Sequence, residues 1–150
     1  MRDFRFRLAT LLQLREATRD ERQAALSEAF RVDEVLRRQS ETVAEELGRL
    51  QTQCRAAAGP GTVDVDRLVE AHRYELALRI QDQKLQRQRE AVAEEIERRQ
   101  QALVEANREV RVLEKLREKQ AGRHRAELQR RERKQMDEAA VQRACREEVV

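Results

Sequence analysis

Only one stretch of this 150-residue chain refuses a helix. It is "AAAGPGTVDVD", residues 56–66, where the only proline, Pro60, stands between Gly59 and Gly61. Proline lacks the backbone donor a helix needs, and glycine loosens the chain on either side. Asp64 follows as a candidate N-cap, its carboxylate placed to accept from the orphan N–H groups of the next turn. Everything else can be wound, so the chain reads as helix, break, helix.

The spacing of apolar residues says what the helices do. After the break, Leu78, Leu85, Val92, Ala106 and Leu113 form one seven-residue series, interrupted by Arg99, and Ile96, Leu103 and Val110 form its complement. These are the a and d positions of a coiled coil. Before the break, Ala29, Val32, Leu36, Val43, Leu50, Cys54 and Ala57 step by three, four or seven, with Gln39 and Glu46 on the same stripe and Leu47 flanking it. A seam this narrow buries one stripe against one partner helix, and its seven-residue period implies a left-handed supercoil. A short connection favours antiparallel pairing. The expected fold is all-α: a two-helix antiparallel coiled-coil hairpin, helix one over about 8–57, loop 58–64 and helix two over about 65–146. It is read as one coiled-coil rod over 1–150.

Composition agrees. The chain is 41% charged and 3% aromatic, too poor in large apolar side chains to fill a compact core. A mean hydropathy of −0.92 would suit disorder, but Arg, Glu, Gln, Lys and Ala are strong helix formers. At a rise of about 1.5 Å per residue, helix one spans roughly 75 Å and helix two roughly 120 Å. Helix one therefore runs out at about residue 115 of its partner, and helix two extends beyond it.

The overhang is where positive charge collects. Residues 111–134 hold ten Lys/Arg against four Glu, whereas the whole chain is +3. Three readings stay open at this point: a solvated face laced with i,i+4 ion pairs, a helix that docks in an acidic protein lumen, or attraction to phosphate. Nucleic acid is the weakest partner of these, since no aromatic stacking platform accompanies the charge. An anionic membrane surface would need an apolar face with Trp or Phe.

Chemistry finds little footing. The four glycines, Gly48, Gly59, Gly61 and Gly122, make no phosphate loop. His72 and His124 have no Cys or second His at metal spacing. Glu94 and Glu95 are adjacent on a helix and point apart, so they are no acid/base pair. A two-helix rod offers no concave pocket to a nucleophile and base. The reading is not an enzyme, with no cofactor and no metal. Cys54 and Cys145 fall near opposite ends of an antiparallel hairpin, too far apart for a disulfide. No apolar run reaches the roughly 18–20 residues of a transmembrane segment, and no secretory leader is evident, so a cytoplasmic protein is expected.

One segment stands out. In "DFRFRLATLLQLRE", Asp3 to Glu16, the period is two through Phe4, Phe6 and Leu8, then helical from Leu8 to Leu11 and Leu12. Two of the chain's three phenylalanines are spent on this lead-in. They either staple the incoming chain onto helix two or face a partner at the terminal end.

Three ordered segments carry a family resemblance. "FRFRLATLLQLRE" resembles the start of the flagellar export protein FliJ family, "YELALRIQDQKL" its aromatic-x-x-x-Leu segment after the hairpin, and "MDEAAVQRA", residues 136–144, its C-terminal Asp-Glu-x-Ala segment. The resemblance implies a non-enzymatic stalk or coupling factor of the bacterial flagellar type III protein export apparatus. Its terminal end would insert in the ring of a hexameric export ATPase (FliI-like), and its hairpin side would meet an export gate protein (FlhA-like) and export chaperones. It would then associate peripherally with membrane-embedded export machinery at the cytoplasmic face of the inner membrane. By the same resemblance, Tyr74, Leu78, Gln81 and Leu85 face the gate, the last two where other members carry small or histidine side chains. Gln39, Val43, Glu46 and Leu50 fall at the chaperone-facing spacing, with Glu46 and Leu50 replacing aromatics. Phe4, Phe6, Leu8, Arg130, Arg131, Arg133, Met136, Asp137 and Glu138 fall at the ring end. The alternatives are a generic coiled-coil scaffold with a basic nucleic-acid-binding tail and a stalk protein of a related injectisome.

Overall fold

The computed structural model describes residues 4–147. Arg2 and Asp3, part of the basic lead-in, lie outside the described residues. Two helices account for nearly all of it: α1, Ala9–Ala57, and α2, Val65–Glu147. No strand occurs among the described residues. The fold is an all-α helical hairpin of coiled-coil type.

Local chemistry explains the boundaries. Phe6 accepts from the Ala9 amide at 3.2 Å and Leu8 from the Leu12 amide at 2.9 Å, which starts α1. Its end is marked by Ala58 donating to Cys54 O at 3.1 Å and Gly59 to Ala56 O at 3.4 Å. Gly61 then takes φ of 156°, a conformation that an L side chain resists. Asp64 caps α2 as its type and position suggest: its Oδ1 accepts from the Arg67 amide at 3.3 Å. At the margins of the seam, same-helix pairs such as Arg79–Glu75 at 2.6 Å and Arg99–Glu95 at 2.8 Å support the winding.

The chain packs as two units, which are described separately. Among the described residues, one comprises Glu21–Val104 and the other 4–20 with 105–147. The first contains the loop. Its core is Val43, Leu50, Leu78 and Leu85, all at or below 9% exposure, with Leu36, Leu47, Cys54 and Ala71 packed against it. On α2 the enclosed positions include 71, 75, 78, 82, 85, 89, 92, 96, 99 and 103, an alternation of fours and threes, with 68, 95 and 102 half-buried beside it.

On α1 the enclosed series is 26, 29, 33, 36, 40, 43, 47, 50 and 54, with 25, 34 and 46 half-buried beside it. This corrects the sequence reading at two places: it ran the stripe through Val32 and Gln39, while Glu46 is half-buried as Leu47 is. Val32 is 46% exposed and Gln39 is exposed, while Asp33, Ser40 and Leu47 take the inward positions. The reason lies on the partner helix. Arg89 sits in the seam and draws Asp33 toward it at 3.8 Å, and no apolar count along α1 alone contains that attraction. A second polar rung is Arg99, whose Nη1 donates to the Ala25 carbonyl while its Nε holds Glu95.

In the other unit, Leu12, Ala106 and Val110 are buried and Arg15 pairs with Glu109 at 2.8 Å. The lead-in does not stop at Ala9. Phe4 and Phe6 are half-buried, and the Phe4 ring lies 5.8 Å from the His124 ring at a tilt of 47°. The partner of α2 therefore reaches beyond residue 115, the limit set by counting helix one alone. From Gln129 to Arg146 every side chain is exposed, so α2 extends past its last covered turn.

Candidate functional site

Each of the two groups of residues singled out near the loop divides between surface and core. Tyr74 is 50% exposed and its hydroxyl donates to Glu46 Oε2 at 2.9 Å. That bond ties α2 to α1 beside the seam. The Glu46 carboxylate, by accepting from the phenol, holds the Tyr74 ionisation above its ordinary value of 10. Gln81 is exposed on the same side of α2, and Gln39 is exposed on α1. By contrast Leu78 and Leu85, at 3% and 5% exposure, pack with Val43 and Leu50 at 3% and 9% inside the hairpin. Of the eight residues, four thus face each other in the core, and Tyr74, Gln81, Gln39 and Glu46 are left at the surface or its margin.

Below that core, toward the loop, Leu50, Gln53, Cys54, Ala57, Arg67, Leu68 and Ala71 line an open cleft of about 300 Å³. Cys54 is half-buried in it, and both Cys54 and Cys145 are free thiols. Sequence reasoning missed this cleft, whose lining includes the small residues Ala57 and Ala71 from the two helices. His72 is exposed and stands 3.9 Å from Glu75.

At the terminal unit, Phe4, Phe6, Ala9, Leu12, Gln13, Glu16 and Arg117 line a cleft of about 320 Å³. Both phenylalanines line it from the chain's lead-in, and Leu8 beside them is 38% exposed. Arg130, Arg131, Arg133, Asp137 and Glu138 are exposed on the uncovered part of α2, and Met136 is 73% exposed. Nothing within the unit gathers these into a pocket. They form a helical surface on which a mainly cationic stretch precedes Met136 and two carboxylates.

No group of His, Cys, Asp or Glu among the described residues is arranged to hold a metal ion. No helix among them is long and apolar enough to cross a membrane. The surface therefore offers grip: long exposed helical faces, a few aromatic or aliphatic handles, and charge.

A family model described as Flagellar FliJ protein matches residues 4–148, nearly the whole chain. The chain belongs to the flagellar FliJ protein family. The match spans the lead-in, both helices and the uncovered end of α2, so the three short segments that carried the resemblance are parts of one continuous likeness. It associates the chain with flagellar protein export, and the family is a non-enzymatic one. No curated protein and no solved structure matches the chain.

Proposed function

We propose that this protein is a cytoplasmic, non-enzymatic stalk and coupling factor of the flagellar type III export apparatus. Its terminal unit works in the pore of the hexameric export ATPase, and its loop-containing unit meets the export gate and empty export chaperones. The observation that carries the reading is the uncovered helix 129–146, in a chain whose family belongs to flagellar export. A helix with no packed face and no partner among the described residues is costly to hold in water, because most helical stability comes from tertiary packing. A ring that closes around it would supply the missing cover.

Within that scheme Arg130, Arg131, Arg133, Met136, Asp137 and Glu138 touch the ring, and Phe4, Phe6 and Leu8 set the end that enters it. Tyr74 and Gln81 touch the gate, while Leu78 and Leu85 hold them in place from inside the hairpin. Gln39 and Glu46 serve the chaperones in the same way, positioned by Val43 and Leu50. The apparatus is membrane-embedded, so the protein sits at the membrane peripherally, through its partners.

The test uses purified export ATPase with either the intact chain or a chain ending at residue 128. The intact chain should raise turnover and hexamer formation, and the shortened one should do neither while melting at the same temperature. ATPase that ignores the intact chain, or responds equally to the shortened one, refutes the proposal.

A further inference from the structure

A second apolar stripe runs along α2, on the side turned away from the seam. Val65, Val69, Leu76 and Ile80 follow one another by four, seven and four, and are 65%, 46%, 49% and 67% exposed. They cover roughly 22 Å of helix at about 1.5 Å per residue. Single exposed aliphatics need no explanation, but an aligned stripe does. The continuation of the same face shows what solvent alone would select. Beyond Ile80 it carries Gln83, Arg87, Glu90, Glu94, Arg98 and Gln101, all exposed and all polar. Four aliphatics are thus placed outward on one face within one span of α2.

The margins of the stripe are cationic. Arg73 and Lys84 lie along one side, Arg79 along the other, and Arg87 closes the end, all exposed. Arg79 is held by Glu75 at 2.6 Å, whereas Arg73, Lys84 and Arg87 enter no ion pair among the described residues. Glu75 and Asp82 are half-buried toward the seam, whereas Asp66 and Glu90 are exposed near the two ends of this face, where the cations outnumber them.

We propose that the Val65–Val69–Leu76–Ile80 face docks one amphipathic helix of a partner protein, apolar along its own stripe and acidic at its margins. Apolar burial would give the contact its strength and the basic margins its selectivity. A second copy of this chain fits poorly, since the two-fold axis that pairs Val65 with Ile80 and Val69 with Leu76 sets Arg73 against Arg73. A membrane surface fits poorly too. Residues 65–87 hold five Lys/Arg against four Asp/Glu, and the stripe has no aromatic to seat at a headgroup layer. The proposed contact lies apart from Tyr74 and Gln81, and it stands or falls independently of the ATPase coupling proposed above.

The probe is a fluorescein-labelled helical peptide with Leu at i, i+4, i+7 and i+11 and Glu at the flanking positions, and a twin with Lys in place of Glu. Fluorescence anisotropy with the intact chain should show saturable binding of the Glu peptide, with the Lys twin weaker by about tenfold or more. Leu76→Glu with Ile80→Glu should weaken the Glu peptide by about tenfold or more while helical circular dichroism is unchanged. Arg73→Glu with Lys84→Glu should invert the preference. Equal binding of the two peptides, binding of neither, or an unaffected Leu76→Glu/Ile80→Glu variant overturns the proposal. So does a parent dimer in sedimentation that this variant dissolves, or competition by phosphatidylglycerol vesicles. No ATPase enters the assay, so failure here leaves the coupling test untouched.

Discussion

Replacing Leu78 by alanine separates two roles that one residue could play. If Leu78 is a partner-facing side chain, truncation costs binding and leaves the fold alone. The hairpin instead encloses it at 3% exposure among Val43, Leu50 and Leu85. A buried leucine cut back to alanine loses its transfer free energy and leaves a cavity, for about 2–5 kcal/mol. A two-helix seam has a thin shell that relaxes more easily than a globular core, which places Leu78→Ala at about 2–3 kcal/mol. At about 2.1 cal/mol/K per residue, the whole chain unfolds with an entropy near 0.3 kcal/mol/K, so the melting temperature should fall by about 7–10 °C. Thermal melts followed at 222 nm give the answer, with Gln81→Ala, a surface change worth about 0.5 kcal/mol or less, as the control. A Leu78→Ala protein melting within about 2 °C of the parent would refute the enclosure of Leu78 and return it to the list of contact residues.

Tyr74 is the only tyrosine and there is no tryptophan, so absorbance near the phenolate band reports this one hydroxyl. Its ionisation should lie above 10, and Glu46→Gln should lower it toward 10. Because the folded value is raised, the stabilisation is present below 10 and lost as pH rises through the folded value; identical titrations in the two proteins would remove the bond. At the acid end the sign reverses. The Arg37 and Arg38 guanidiniums hold Glu34 down to about 2 against an ordinary 4.5, and Arg99 lowers Glu95. Their contribution is present above 4.5 and lost as pH falls toward 2, so urea midpoints should decline across that window, less steeply in Glu34→Gln. Asp64→Ala should cost about 1 kcal/mol through the lost cap, read as a lower urea midpoint, whereas Asp64→Asn should cost little.

How much of this was legible beforehand depends on whether the deciding chemistry is local. The Gly59-Pro60-Gly61 break and the Asp64 cap are written in neighbouring residues. The α2 seam was legible because Leu78, Leu85, Val92, Ala106 and Val110 repeat strictly. The α1 seam slipped by one place because a period of 3.5 lets either of two adjacent positions fit. Val32 is the more apolar candidate, yet Asp33 points inward, since its carboxylate faces Arg89 from the other helix. The candidate contact residues fared differently again. Resemblance placed Leu78, Leu85, Val43 and Leu50 at partner-facing positions, and only packing reveals that these side chains face one another. The Val65–Ile80 stripe escaped notice because the seam, being longer, captured the periodicity first.

The polar rungs of the seam have a consequence for how such a chain can change length. Asp33 must meet Arg89, and Arg99 must meet the carbonyl of Ala25. Deleting one residue from α1 between Ala29 and Val43 would rotate everything on its far side by about 100° and turn Val43 and Leu50 out of the core. Deleting seven restores the faces but leaves the two helices of unequal length beside the loop, or a charged rung opposite an aliphatic one. Only a heptad removed from one helix together with its counterpart in the other keeps both faces and rungs in step. Lineages of this protein can therefore lengthen or shorten by paired heptads, while the loop sets none of the rungs and need only keep its turn and the Asp64 cap.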